Sequence, residues 1–494
     1  MKKLIVPSGN YTFDVTAKTI TVSGTDYTPF FNEEYLLLVT NITRNVIIYN
    51  PYCDGYGGTL SGAVLTLEAS LSGYDNADDL QIILFVPDSY TSPSYVSLSP
   101  TDDWTIDAFG NKRISETSTR LDVEFIYDKQ EEIIDEKVIT GGTVTHNTDS
   151  RDLTLAINNT TTATEATMSS YPVPYTPGNS QKIDVTGTLN TAALEGGTVS
   201  LFLRSNVTGS VVEEEYEQGN WLFDNVTDQD WTKSFILQMD FQSLKVGRIR
   251  YFMVRDGIPV KLHEIVNDNK YAGGYWQNPT QPLYWRIYND ATYTYCEMGY
   301  GDESNGIGIR YKVAKNASAT MRAICGTVKS EGGADLLDIP GFPRATDGNG
   351  ATKTISTTLI PIISIRPKST FQSLHNHNLI IPTGFSLSTD NAIRFVLVHD
   401  AVLDAGTVSW VDVDTTQSSV EYDISAASFT NGHIIDIDYV NTTKNTQAGD
   451  KGLLDKTVLW HRESGESGVI TLAAIRTKTS NATVRAALKW KEIR

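Results

Sequence analysis

Hydrophobic positions along this chain recur with a period of two, and almost nowhere with the period of a helix. In QMDFQSLKVGRIRYFMVRDG, residues 238 to 257, Ile249, Tyr251 and Met253 share one parity, while Arg248, Arg250, Phe252 and Val254 share the other. Successive side chains of a strand point to opposite faces, so the first set reads as core and the second as a mixed, partly covered outer face. Asp256-Gly257 supplies the positive backbone angle of a two-residue hairpin, and Ile258 and Val260 open the return strand. Gly247 stands where a bulge or a close backbone approach fits.

The same reading extends over the chain. AKTITVSG, EYLLLVTN, NVIIYN, AVLTLEASL and LQIILFV predict a small N-terminal β-domain, residues 1–98, whose strands close near Val86. The stretch PDSYTSPSYVSLSPTDDW that follows is rich in proline and serine and reads as a linker. A second series of strands, from VTHNTDSRDLTLAIN through TMRAICGTVKS, fills residues 99–340. The Gly/Pro loop DIPGFPRATDGNGATK then leads into a third block, residues 341–494, either a separate C-terminal β-domain or one interleaved with the preceding sandwich. There is no fixed-period repeat, long amphipathic helix or sustained heptad. The expected fold is all-β: a multi-domain β-sandwich or jelly-roll architecture with a small N-terminal β-domain.

Composition narrows the function by exclusion. The 494 residues exceed one compact core, and 40% hydrophobic with 20% charged residues is an ordinary globular balance. A net charge of -19 argues against nonspecific nucleic-acid or anionic-membrane binding, both of which need a positive surface. Cys53, Cys296 and Cys325 show no CxxC spacing, allow at most one pair, and read as small buried thiols. The start, MKKLIVPSGNY, is too short for a signal h-region, and no apolar run approaches a membrane span. The expectation is a soluble chain made in a cytoplasm, without membrane insertion. Asn206-Val-Thr and Asn481-Ala-Thr are then by-products of composition.

Candidate chemistry is sparse. His375 and His377 flank Asn376, and on a strand i and i+2 share a face and could bind one ion, but no Cys, Asp or Glu close in sequence completes a site. Asp224, Asp228 and Asp230 have the loose spacing of a calcium loop without its Gly and terminal Glu, and read as a solvated turn. Glu213, Glu214 and Glu215 read as a charged exposed face. Nothing resembles GxSxG, a P-loop or a Rossmann fingerprint. No catalytic residue, metal or cofactor is therefore expected. Residues 271 to 300 are dense in aromatics, which read first as sandwich core and alternatively as a sugar-stacking platform. The candidate ligand-binding residues of that platform are Tyr275, Trp276 and Trp285. Trp285 shares its parity with Leu283 and Ile287 and leans to shielding; Trp276, between Gly273-Gly274 and Pro279, is expected in a turn with the more exposed ring.

Several ordered stretches resemble one family. YLLLVTNITRNVIIYNPYCDGYGGTLSGAVLTLEASL is similar to an N-terminal module of tailed-bacteriophage structural proteins, and SYPVPYTPGNSQKIDVTGTLN, FQSLKVGRIRYFMVRDG and RAICGTVKSEGG resemble successive landmarks of a phage virion-protein family. The similarity spans most of residues 1 to 340 and continues weakly through FQSLHNHNLIIPTGFSLSTDNAIRF. It implies lectin-like sandwiches and a non-enzymatic structural component of a virion, exposed as a head fibre, capsid decoration, neck or baseplate/tail protein. The implied partners are other virion proteins of capsid, neck or tail, with self-assembly as a homo-oligomer, a trimer by analogy. The charges of KVGRIRYFMV would then sit on an outer face or at a subunit contact. Two alternatives stand beside this reading: a carbohydrate-binding module of a tail fibre that recognises a host surface glycan, and a polysaccharide depolymerase. No catalytic residue comes with the resemblance.

Overall fold

The computed structural model describes residues 2–33, 35–86, 117–158, 162–189, 196–242, 244–315, 319–331, 341–345, 352–440 and 457–494. Among them strands dominate, and the helical elements are three single-turn 3-10 helices. No helix is long and apolar enough to cross a membrane. The fold is all-β. Packing divides the chain into two units, Met1–Asp103 and Trp104–Arg494. The Pro/Ser stretch read as a linker lies outside the described residues.

The first unit stacks two four-stranded sheets. One runs Lys2–Val6, Leu80–Val86, Leu36–Asn41, Val46–Tyr49, and the other Tyr11–Asp14, Thr19–Val22, Val64–Leu67, Gly58–Ser61. Alternation fixes which side chains meet: Ile20 and Val22 from one sheet join Val39, Ile82 and Leu84 from the other in one core. Cys53 is exposed in this unit, whereas Cys296 is buried in the larger one; the reading as small buried thiols fits Cys296 and not Cys53.

The larger unit begins with a sandwich of a seven-stranded and an eight-stranded antiparallel sheet. The seven-stranded sheet runs Ile134–Ile139, Glu165–Ser170, Leu283–Asn289, Tyr293–Gly301, Gly306–Ala314, Thr198–Ser205, Val212–Glu217. In the other, the long strand Ala319–Glu331 pairs with Asp152–Ile157, Ser180–Thr188 and Thr117–Glu124, and the sheet continues through Phe235–Phe241 to the hairpin Ile249–Arg255 and Ile258–Ile265. That hairpin matches its sequence reading. Ile249, Tyr251 and Met253 are core residues, and Asp256 and Gly257 turn with φ of 50° and 78°. A Cβ on Gly247 would stand 2.0 Å from the carbonyl oxygen of Gln242, which is the close approach its position suggested.

The opposite parity departs from expectation. Arg250 and Phe252 are as buried as the core set, because Arg250 sits against Asp240 on the next strand. The glutamate run is likewise no simple solvated face. Glu213 takes hydrogen bonds from Arg204 and Arg310, while Glu214, on the other side of the strand, is held by Lys270 and Tyr271. These arginines converge on Glu297, whose wholly buried carboxylate accepts from Arg310 Nε at 2.6 Å, Arg204 Nη2 at 3.2 Å and Tyr288 at 2.9 Å.

The chain ends in a smaller sandwich within the same unit. A six-stranded sheet centred on Ile360–Pro367, Ile470–Arg476 and Ile393–His399 faces a sheet built on the long strand Ala482–Ile493, which pairs with Leu379–Thr389, Gly341–Ala345 and Lys353–Ile355. Its core is aliphatic, with Phe385, Phe395 and Trp490. The two sandwiches meet at a seam. Tyr171 packs edge-on to Trp460, Ser464 donates to Asp135 from both its backbone N–H and its hydroxyl at 2.8 Å, and His377 hydrogen-bonds the Thr280 carbonyl at 3.0 Å.

Candidate functional site

The three aromatic residues singled out in the sequence are all buried: Tyr275 is 0%, Trp276 1% and Trp285 0% exposed. Trp285 belongs to the sandwich core. Its indole donates to the Thr186 carbonyl at 3.1 Å and meets Phe125 edge-on. A Cβ on Gly326 would stand 2.5 Å from Leu283 Cδ2 and 3.3 Å from the indole, so the strand passes closely beside both. Trp276 corrects the expectation of an exposed ring. It does lie outside the strands, but its indole is packed on Phe241 and Tyr300 and donates to the Arg204 carbonyl at 3.1 Å. An indole this enclosed, with its N–H engaged, offers no surface for stacking a sugar. A platform built from these three rings is therefore absent.

What Tyr275 and Trp276 do is fix a loop. Ser205 donates to the Tyr275 carbonyl, Trp276 to Arg204, and Gln277 Nε2 to the Asn206 carbonyl at 2.8 Å. The loop 275–281 is thus laced to the end of strand Thr198–Ser205. Beside it, Asp302 caps the turn between strands Tyr293–Gly301 and Gly306–Ala314, accepting from the N–H groups of Ser304 and Asn305 at 2.6 Å each. These loops form one wall of a polar cavity at the seam. The other wall is the C-terminal sandwich's hairpin Thr370–His375, whose two turn residues, Gln372 and Ser373, hold φ of 51° and 66°. Positive φ at two non-glycine residues is strained and persists where surrounding contacts over-determine it.

The cavity, of about 100 Å³, is lined by side chains that hydrogen-bond rather than pack: Asn206, Gln277, Asn278, Gln281, Ser304 and Asn305 among them. Gln281 donates its Nε2 to the Asn278 carbonyl at 2.8 Å, while its buried Oε1, like Oδ1 of Asn206, makes no hydrogen bond among the described residues. Each such orphaned acceptor costs roughly 1–3 kcal/mol unless a ligand or water donates to it.

The HNH triplet lies at the rim. Asn376 is its anchor, buried and donating to the carbonyls of Lys368 and Ser419 at 2.8 and 3.2 Å. With the central residue turned inward, His375 and His377 bracket the cavity, their rings 4.8 Å apart. Glu463, from the loop that contacts Asp135, meets both rings. Burial opposes ionisation at each group. At His377 the nearby Glu463 and Asp302 outweigh it and hold the imidazole above its ordinary value, whereas at His375 burial wins and lowers it. The two histidines in turn hold Glu463 well below the usual carboxylate range.

Asp224, Asp228 and Asp230, weighed as a calcium loop, do not converge. Asp228 forms a two-pronged pair with Arg255, and Asp224 and Asp230 accept from their own turns. The sequence reading missed Asn206, Gln281 and Glu463. Amide residues in loops carry no motif, and Glu463 is remote from the histidines in sequence. The usable signal was the HNH triplet itself.

No protein-family model matches the chain, and no curated protein matches it either. Among solved structures, the chain is similar to an endo-1,3-beta-glucanase from Streptomyces sioyaensis at 10% identity and a TM-score of 0.27, over 43% of this chain and 96% of that one. A Bauhinia forficata lectin in complex with GalNAc matches at 12% identity and a TM-score of 0.18, over 43% and 98%. A tandem CBM22 domain from Paenibacillus barcinonensis matches at 9% identity and a TM-score of 0.20, over 76% and 98%. Overlap this slight says nothing about ligands.

Proposed function

We propose that this chain is a carbohydrate-binding β-sandwich protein whose ligand enters the amide-lined cavity at the seam of its larger unit. The observation that carries the reading is the cavity's wall of hydrogen-bonding side chains, Asn206, Gln277, Asn278, Gln281, Ser304 and Asn305, set between loops tied to the sandwich. A sugar supplies hydroxyl donors at close spacing, and loops fixed by Tyr275 and Trp276 meet it without reorganising. The resemblance to tailed-phage virion proteins supports a setting for this activity: a particle-exposed, self-assembling, non-enzymatic module that meets a host surface glycan. A purely structural virion role is the rival reading.

A glycan array probed with the full chain tests this, followed by titration of the best ligand against Asn206→Ala and Gln281→Ala. At least tenfold weaker binding is expected in both variants at temperatures where each remains folded by thermal melt. Binding that survives both substitutions would move the site elsewhere, and an array without hits would leave the structural virion reading in its place. Release of reducing sugar from host polysaccharide would make the chain a depolymerase instead.

A further inference from the structure

The rim of the cavity gathers a second set of groups that sugar binding does not require. Nε2 of His375 lies 3.4 Å from Oε1 of Glu463, and Nε2 of His377 lies 3.5 Å from that same oxygen. Nε2 of His377 is also 3.4 Å from Oδ2 of Asp302. The ligand atoms of His375, His377 and Glu463 all lie within 4.8 Å of one another. The His377 side chain is only 2% exposed, and its Nε2 makes no hydrogen bond of proper geometry among the described residues.

We propose that His375, His377 and Glu463, with Asp302 as a fourth group, bind a divalent transition-metal ion of the zinc class. The spacing is the first reason. Nitrogen and oxygen ligands held about 2.0–2.1 Å from a tetrahedral ion stand about 3.4 Å from each other, and three of the separations here fall at or near that distance. The second is the tautomer. A carbonyl oxygen can only accept, so the 3.0 Å bond to Thr280 places a proton on Nδ1 of His377 and leaves Nε2 to face the two carboxylates. A backbone carbonyl behind the ring is the outer-shell partner that orients a metal-binding histidine. The third is the donor set itself: imidazoles mixed with carboxylates suit zinc and its neighbours, whereas calcium and magnesium prefer oxygen alone.

The arrangement has a structural consequence. His375, His377 and Glu463 belong to the C-terminal sandwich, while Asp302 caps a turn of the other one, so an ion bound by all four would pin the seam. The polar cavity provides the path of entry. This inference rests on its own geometry and not on the glycan reading, since either ligand could bind without the other.

The competing arrangement is an imidazolium at His377 lying between two carboxylates with no ion. Isothermal titration of the full chain, stripped with a chelator, against zinc chloride alone decides between them. One equivalent per chain is expected, with affinity falling more than tenfold in His375→Ala and in Glu463→Gln and unchanged in His433→Ala, an exposed histidine elsewhere. Should a variant misfold, cobalt(II) added to the unaltered chain and to Asp302→Asn gives a second measurement: an intense visible absorption of tetrahedral type that weakens or shifts in the variant. No stoichiometric zinc uptake, affinity indifferent to His375 and Glu463, or a cobalt spectrum no different from that of the free hydrated ion would each overturn the proposal.

Discussion

Arg250 and Asp240 face each other across neighbouring strands, and the guanidinium donates from Nε and Nη2 to the two carboxylate oxygens at 2.7 and 2.6 Å. Both side chains are buried, at 1% and 0% exposure. Removing one member of such a pair strands the other charge away from water. We expect Arg250→Ala to destabilise the protein by about 3–5 kcal/mol. Arg248, two residues earlier and partly exposed beside Glu264, should cost under about 1 kcal/mol. Ile249→Ala, in the core, should cost about 2–5 kcal/mol. Urea unfolding of the three variants ranks them, and an Arg248 variant as damaging as the Arg250 one would reverse the assignment of faces.

Glu297 is the acceptor at the centre of a second buried network. Burial would raise its carboxyl pKa, but Arg310, Arg204 and Arg286 hold it far below the ordinary carboxylate value. The unfolded chain therefore takes up this proton first, near pH 4.5. The stabilisation is complete above that pH and is lost as acid approaches the folded value. Glu297→Gln should be less stable at neutral pH and show a flatter acid limb. Parallel pH profiles for variant and parent would count against the network.

His263 also loses stability towards acid, but through burial rather than through paired charges. Its ring lies 4.3 Å from that of Tyr216, its Nδ1 accepts from the Leu222 N–H at 3.3 Å, and its buried Nε2 has no partner among the described residues. Burial brings its pKa from 6.5 down to about 4, against the opposing pull of Glu264. The unfolded chain gains a proton that the folded chain refuses, so stability falls as pH drops from about 6.5 towards 4 and this contribution levels off below. His263→Gln keeps an acceptor for Leu222 and should remove part of that slope. An unchanged slope in denaturation midpoints between pH 7 and 5 would assign it to other groups.

Trp276→Ala should cost about 3–5 kcal/mol, comparable to Trp285→Ala, because both indoles are enclosed. Trp276→Phe keeps most of the packing and loses the bond to the Arg204 carbonyl, for about 1–3 kcal/mol. Thermal melts of the three variants test the enclosure. A Trp276→Ala protein that melts like the parent would return this ring to the surface.

What is local to one strand or one turn could be read directly from the residues. Side-chain alternation is set by backbone geometry, so the inward set Ile249, Tyr251 and Met253 was legible, as was the Asp256-Gly257 turn, because positive φ suits those residues. The all-β class followed from the same periodicity repeated along the chain. What covers the second face of each strand was settled by how the sheets pack. Arg250 is buried because the strand beside it delivers Asp240 in register, and Trp276, though it sits in a loop, is buried because that loop is tied to the end of the strand at Arg204. The seam is further still from local rules. Asn376 turns inward visibly only once Lys368 and Ser419 are placed around it, and Glu463 reaches the two histidines through sheet pairing that closes long loops. A candidate site assembled from loops of two sandwiches has no spacing of its own in the sequence, because its distances are set by the packing of sheets rather than by the number of residues between its parts.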